Sequence, residues 1–343
     1  MRALVLQEKG RMGIEDVPSP GAPGPGEVRI AMHTVGICAS DVHYWTEGRI
    51  GPFVVEAPMI LGHEGAGTVT EVGAGVTGLS VGDRVAMEPG VPDPASRATL
   101  EGRYNVDPAV RFWATPPVDG CLAEEVVHPA AFTYRLPDAL SFAEGALIEP
   151  FAVGMFAATK AQISPGDVVA IIGSGTIGIM TALAARAGGA SRVYISDVQS
   201  AKLGLLDGLT GIIPVDATKE DLGERVRAET SGWGPQVVLE ASGAAPAYKG
   251  LWTVPAPGGR VVLVGMPVEP VAFDVSTAQS RGISIETIFR YANVHQKAID
   301  LAVSDAVDLG RFVTETFAFE DSEKAFERFL EGRPTDVKLQ IAF

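Results

Sequence analysis

The chain has 343 residues, 46% of them hydrophobic, and a formal charge of −15. That length and apolar content suffice for a large core divided between two domains, and the negative charge sets aside nucleic acid and anionic membrane, which would be repelled over the whole surface. Two cysteines, Cys38 and Cys121, are too few for a disulfide framework, and no run of about 18 apolar residues suggests a membrane span, so the chain reads as cytoplasmic.

Residues 1 to 150 are dense in glycine and proline, with short β-type runs at 27–32 and 67–72, a pattern that predicts a barrel-like domain. From residue 165 the pattern alternates. An apolar strand at 168–172 runs into a glycine-rich turn, and a helical run rich in Ala, Leu and Ile covers 176–186. Further strands are predicted at 192–196, 236–240 and 260–264, separated by segments that can be helical, so the middle reads as a doubly wound α/β unit. An amphipathic helix at 322–331, with Phe326 and Phe329 inward, and a last strand at 336–340 are expected to rejoin the first domain.

The turn is Gly173-Ser174-Gly175-Thr176-Ile177-Gly178, and Asp197 ends the next strand. This is the context a dinucleotide fingerprint requires. Gly173 permits the tight turn, Gly175 lets the backbone approach a pyrophosphate, and Gly178 lets helix and strand pack closely, while the amides of Thr176 and Ile177 open the helix toward the anion. Asp197 is suited to ribose hydroxyls and repels a 2′-phosphate. Lys202, a turn later, joins the cofactor set but is not placed to compensate a phosphate, so NAD is favoured over NADP.

Ahead of the fingerprint lie Cys38, the pair His63-Glu64, and Glu149. Thiolate and imidazole suit zinc, and a catalytic zinc takes three protein ligands plus an open position. Cys38 and His63 fill two places. Glu64 and Glu149 compete for the third, and Asp41 is a candidate to orient His63. Cys121 reads as a small buried hydrophobe, and His33, His128 and His295 show no partner spacing that assigns them chemistry.

The chain resembles the zinc-dependent medium-chain dehydrogenases, and among them the sorbitol and xylitol (polyol) dehydrogenases. The resemblance rests on 36–45 around Cys38, Gly62-His63-Glu64, the segments 81–85 and 114–120, Glu149-Pro150 with the residues to 154, and Phe289-Arg290-Tyr291-Ala292-Asn293. It implies a GroES-like β-barrel catalytic domain over 1–152 and 290–343, and a Rossmann NAD-binding domain over 153–289. It also implies that Ser40, Tyr44, Phe112, Thr115, Arg290 and Tyr291 line the substrate pocket, with Val264 and Phe289 near the nicotinamide. A homo-oligomer, dimer or tetramer, is expected by the same analogy. One departure stands out. Where the family often carries four cysteines for a second zinc, this chain has Asp93, Ser96, Thr99 and Asp107. Carboxylates and hydroxyls make a poor soft-metal site, so no structural zinc is expected, and the lobe is expected to hold by packing.

A polyol needs several donors and acceptors, which Tyr44, Glu149, Arg290 and Tyr291 can supply. The reading is therefore a zinc- and NAD-dependent polyol dehydrogenase. Its proton would leave through Ser40, the cofactor ribose and His43, or through a water held by Glu149. The alternatives are a zinc dehydrogenase acting on another alcohol, such as a butanediol or an amino acid alcohol, and a non-catalytic NAD-binding regulator on the same fold.

Overall fold

Short strands joined by glycine turns build the first of two units in a computed structural model that describes residues 1–304 and 306–343. This unit comprises 1–149 and 295–343. Its main sheet runs in the order Thr133–Arg135, Arg84–Met87, Glu64–Val72, Glu27–Gly36, Lys338–Ala342, Val313–Ala318, with Glu125–Pro129 also paired to Glu27–Gly36. The chain's last strand thus lies against an early one, with Gln340 opposite Gly36 and Ala342 opposite Thr34. A smaller sheet joins Arg11–Asp16, Arg2–Glu8 and Met59–Ile60. Leu4, Leu6, Ile30, Val35, Leu61, Met87, Leu122, Phe326 and Ile341 form the core, each buried side chain contributing about 1.5–3 kcal/mol of transfer free energy. On the helix Ser322–Leu330 Phe326 is buried and Phe329 packs on the same core, while Glu323 and Glu327 face water.

The lobe around 93–109 departs from expectation. Its large aliphatic residues do not pack, since Leu100 is 75% and Val106 51% exposed. Hydrogen bonds hold it instead, because short polar side chains find backbone donors in tight turns. Asp107 accepts from the Asp93 N–H at 2.7 Å and the Ala109 N–H at 3.1 Å. Asp93 accepts from the Ala95 N–H at 2.9 Å, and the Ser96 hydroxyl donates to Thr99 at 2.9 Å. Below them the Tyr104 and Tyr134 hydroxyls donate to the two oxygens of buried Glu88, at 2.7 and 2.9 Å. Burial pushes the Glu88 carboxyl above its ordinary range, against the opposing effect of the two phenols.

The second unit, 150–294, holds a six-stranded parallel sheet in the order Ile212–Asp216, Arg192–Asp197, Val168–Ile172, Val237–Glu240, Arg260–Leu263, Ser284–Thr287. Strand order reverses beside Val168–Ile172, the switch point where doubly wound sheets open a crevice at their carboxyl ends. Covered on both faces, these strands carry continuous apolar runs rather than alternation, as in Val168 to Ile171, all buried. The crossover from Val237–Glu240 to Arg260–Leu263 differs from the helical segment expected. It consists of two 3₁₀ turns, Ala245–Tyr248 and Leu251–Thr253. Pro246, Gly250 at φ 79° and Pro255 break any longer helix.

The helix Phe142–Ala161 also corrects an expectation, because it is long and apolar enough by length and composition to cross a membrane. Its apolar side chains are spent inside the protein: Leu147, Ile148, Phe151 and Ala152 are fully buried, and Glu144, Glu149 and Pro150 interrupt the run.

Candidate metal centre and dinucleotide cradle

Cys38 ends the turn after strand Glu27–Gly36 and caps the helix Ala39–Glu47 in extended conformation, its N–H donating to Asp41 at 3.2 Å. Asp41 is fully buried and also accepts from the Gly62 N–H at 3.1 Å. One carboxylate therefore ties the Cys38 turn to the His63 turn. The ring Nδ1 of His63 lies 3.4 Å from the same Asp41 oxygen. Gly62 holds φ 87°, and a Cβ there would sit 2.8 Å from Leu122, so only glycine fits the turn that delivers His63.

Glu64 opens the strand Glu64–Val72 directly opposite Gly36. A Cβ on Gly36 would lie 2.0 Å from a Glu64 carboxylate oxygen. The missing side chain on the neighbouring strand is thus what makes room for this acid. Ligand atoms of Cys38, His63 and Glu64 lie within 4.8 Å of one another, the group among the described residues able to hold a metal. Sulfur, nitrogen and oxygen donors at that spacing fit zinc with a fourth position open. Glu149, buried on its helix, does not join the group.

A residue to which sequence reasoning gave no role completes the centre. Lys338, 3% exposed, donates to both Glu64 oxygens at 2.8 and 2.7 Å and to the Ile37 carbonyl at 3.0 Å. Burial alone would lower the ammonium pKa, but Glu64 foremost, then Cys38 and more weakly Glu149, outweigh it and hold the pKa above the ordinary lysine value. The available signal was a lone lysine beside Leu339 and Ile341 in an apolar strand.

His63 behaves similarly. Burial would lower its pKa, yet Asp41 and Cys38 prevail and raise it well above the ordinary histidine range. Metal needs the neutral ring, so binding must displace a proton. Zinc affinity is therefore expected to climb with pH through and beyond about 6.5, the ordinary histidine value. Calorimetry in two buffers of different ionisation heat checks this, and zinc binding at neutral pH without proton release would contradict it.

Among the expected substrate residues of the first unit, Phe112 sets its ring 5.7 Å from the His63 ring, and Thr115 donates its N–H to the Phe112 carbonyl at 3.1 Å. Ser40, His43 and Tyr44 share the helix that Cys38 caps. Tyr44 is buried, Ser40 half-buried and His43 exposed. Cys121 is fully buried and burial pushes its thiol far up, consistent with a packing role. His128 and His295 are buried, His128 bonded to the Glu88 carbonyl at 2.9 Å, whereas His33 stacks on Phe142.

Arg290, Tyr291, Val264 and Phe289 belong to the second unit. Arg290 holds φ 54°, a left-handed backbone that costs a non-glycine residue about 1–3 kcal/mol, and its guanidinium lies over the Phe289 ring at 4.8 Å. Tyr291 is buried, and Val264 donates its N–H to the Glu240 carbonyl at 2.8 Å. In the glycine turn, Gly173 holds φ 99° against Ser242, and a Cβ on Gly178 would meet the Gly173 carbonyl at 2.0 Å. A Cβ on Gly175 would meet nothing within 4 Å. Two glycines are thus required by packing, while the third faces open space at the start of helix Thr176–Ala187, a cradle that fits a pyrophosphate. Asp197 ends its strand beside this turn, and half-buried Lys202 sits on the following short helix Ser200–Gly204.

Residues 24–138 match the family model of the alcohol dehydrogenase GroES-like domain, and 176–304 that of the zinc-binding dehydrogenases. A D-xylulose reductase of Morganella morganii is 50% identical, the match covering 96% of this chain and 98% of that one. The chain belongs to the zinc-dependent medium-chain polyol dehydrogenases. Within that family, the sorbitol dehydrogenase of Gallus gallus is 40% identical over 98% of this chain and 96% of its own. An Escherichia coli oxidoreductase of unknown specificity superposes with a TM-score of 0.94 at 36% identity, covering 99% of this chain and 98% of that one. The dehydrogenase fold is accordingly a GroES-like domain joined to a Rossmann domain.

Proposed function

We propose that this dehydrogenase oxidises a sugar alcohol of the sorbitol or xylitol type to the ketose, using one catalytic zinc and NAD. The Cys38, His63 and Glu64 group, half-buried at the cysteine and buried at the other two, carries the reading, because a non-catalytic NAD-binding regulator needs no such donors. When bound, zinc supplies Lewis acidity toward an alcohol oxygen and NAD accepts the hydride. Cys38, His63 and Glu64 are assigned as the three protein ligands, with Glu149 held near the open position. Phe112 and Thr115 shape one wall of the pocket, and Tyr44, Arg290 and Tyr291 offer hydrogen bonds to the further hydroxyls of a polyol. Ser40 passes the substrate proton through the cofactor ribose to His43, whose exposure gives it to solvent, or a water on Glu149 takes it. Gly173, Gly175, Thr176, Ile177 and Gly178 hold the pyrophosphate, Asp197 and Lys202 border the adenosine ribose, and Val264 and Phe289 flank the nicotinamide. The Asp93, Ser96, Thr99 and Asp107 lobe takes no zinc. The protein works in the cytoplasm as a homodimer or homotetramer, and the edge strand Ser284–Thr287, with Ile285 39% exposed, favours pairing between copies.

NADH formation with sorbitol, xylitol and 2,3-butanediol, with and without chelator and alongside metal content, tests this. Polyol turnover that a chelator abolishes, with about one zinc per chain, is expected. Turnover of butanediol alone, or polyol turnover without zinc, overturns it.

A further inference from the structure

We propose that Ser174 is a positioning residue that sets the preference for NAD over NADP by locking the Asp197 carboxylate, an inference that rests on the NAD reading above. Ser174 occupies a position the glycine fingerprint leaves unspecified, and it is fully buried. Its N–H donates to Asp197 Oδ2 at 2.8 Å and its hydroxyl to the same oxygen at 3.0 Å. The other oxygen, Oδ1, accepts from the Gln199 N–H at 2.9 Å. A carboxylate offers about four acceptor positions, two on each oxygen. Oδ2 is therefore filled by the protein, and Oδ1 keeps one position for a ribose hydroxyl.

Selectivity follows from this fixity. An aspartate free to rotate could swing aside and admit a 2′-phosphate, whereas one held by three donors presents its charge at a constant place and repels the phosphate. The neighbouring strand adds to that repulsion. Asp216 stands in register with Asp197 on the adjacent parallel strand, so a second carboxylate lies alongside. Lys219, the cation beside it, is already paired with Asp216 at 2.6 Å.

The test is equilibrium binding of NAD and of NADP to the full-length protein without polyol, for wild type, Ser174→Ala, Ser174→Cys, Asp197→Ala and the Ser174→Ala/Asp197→Ala pair. Wild type is expected to prefer NAD. Ser174→Ala is expected to reduce that preference about tenfold, the size of one hydrogen bond to a charged group. Ser174→Cys, which keeps the shape but donates weakly, should move it in the same direction and serves if the alanine variant does not fold. With Asp197→Ala already present, Ser174→Ala should leave the preference unchanged. Equal weakening of NAD and NADP by Ser174→Ala, or an undiminished effect without Asp197, overturns the proposal. Wild-type protein that binds NADP as tightly as NAD would instead sink the NAD reading beneath it.

Discussion

Replacing Lys338 by methionine is expected to cost about 3–5 kcal/mol of stability, the penalty for stranding a buried charge. Both oxygens of Glu64 lean on this ammonium, and neither residue is more than 3% exposed, so water cannot take its place. The pair Lys338→Met/Glu64→Gln should recover much of the loss, since removing both charges leaves none uncompensated. Denaturant unfolding with and without zinc adds a functional reading. If Glu64 is a metal ligand, the cation replaces the missing ammonium, and saturating zinc should restore part of the stability of Lys338→Met beyond what it adds to wild type. A loss that zinc leaves untouched would remove Glu64 from the ligand set, and a loss below about 1 kcal/mol would mean that the ion pair contributes little.

Cys38→Ala and His63→Ala are each expected to empty the metal centre and to lower kcat/KM for a polyol by about a thousandfold or more, the equivalent of several kcal/mol of lost Lewis acid stabilisation. NAD affinity should change by less than about threefold, because the glycine cradle is built from residues of the 150–294 unit alone. Metal analysis, steady-state kinetics and NAD titration on the same samples separate these effects. Variants that keep zinc and turnover would return Cys38 and His63 to the ranks of ordinary packing residues.

The parts of the fold legible in sequence are those with local causes. The strand Val168–Ile172 shows because a parallel strand covered on both faces needs an unbroken apolar run. Its glycines show because a tight turn and a close helix each exclude a side chain, as the 2.0 Å clash at Gly178 demonstrates. Cys38 and His63 stood out through residue type, since few other residues donate to zinc. By contrast, the choice between Glu64 and Glu149 was open in the sequence. The place of Glu64 beside Cys38 and His63 depends on Gly36, which clears space for its carboxylate, and on Lys338, 274 residues further along the chain. The lobe was misjudged for a related reason. Four polar residues made a poor zinc site and packing was expected to hold the lobe, yet the Asp93, Ser96 and Asp107 side chains accept from backbone N–H groups whose positions depend on the turn itself.

From the sequence by itself came the two-part organisation, the dinucleotide turn and the donor types for a metal, because each depends on steric rules or ligand chemistry that act within a few residues. Tertiary structure decided which acid stands beside Cys38 and His63, what balances its charge, and how Asp197 is held. Those are contacts between strands and turns distant along the chain, where a few tenths of an ångström separate a bonded group from a stranded one and no short-range pattern records the partner.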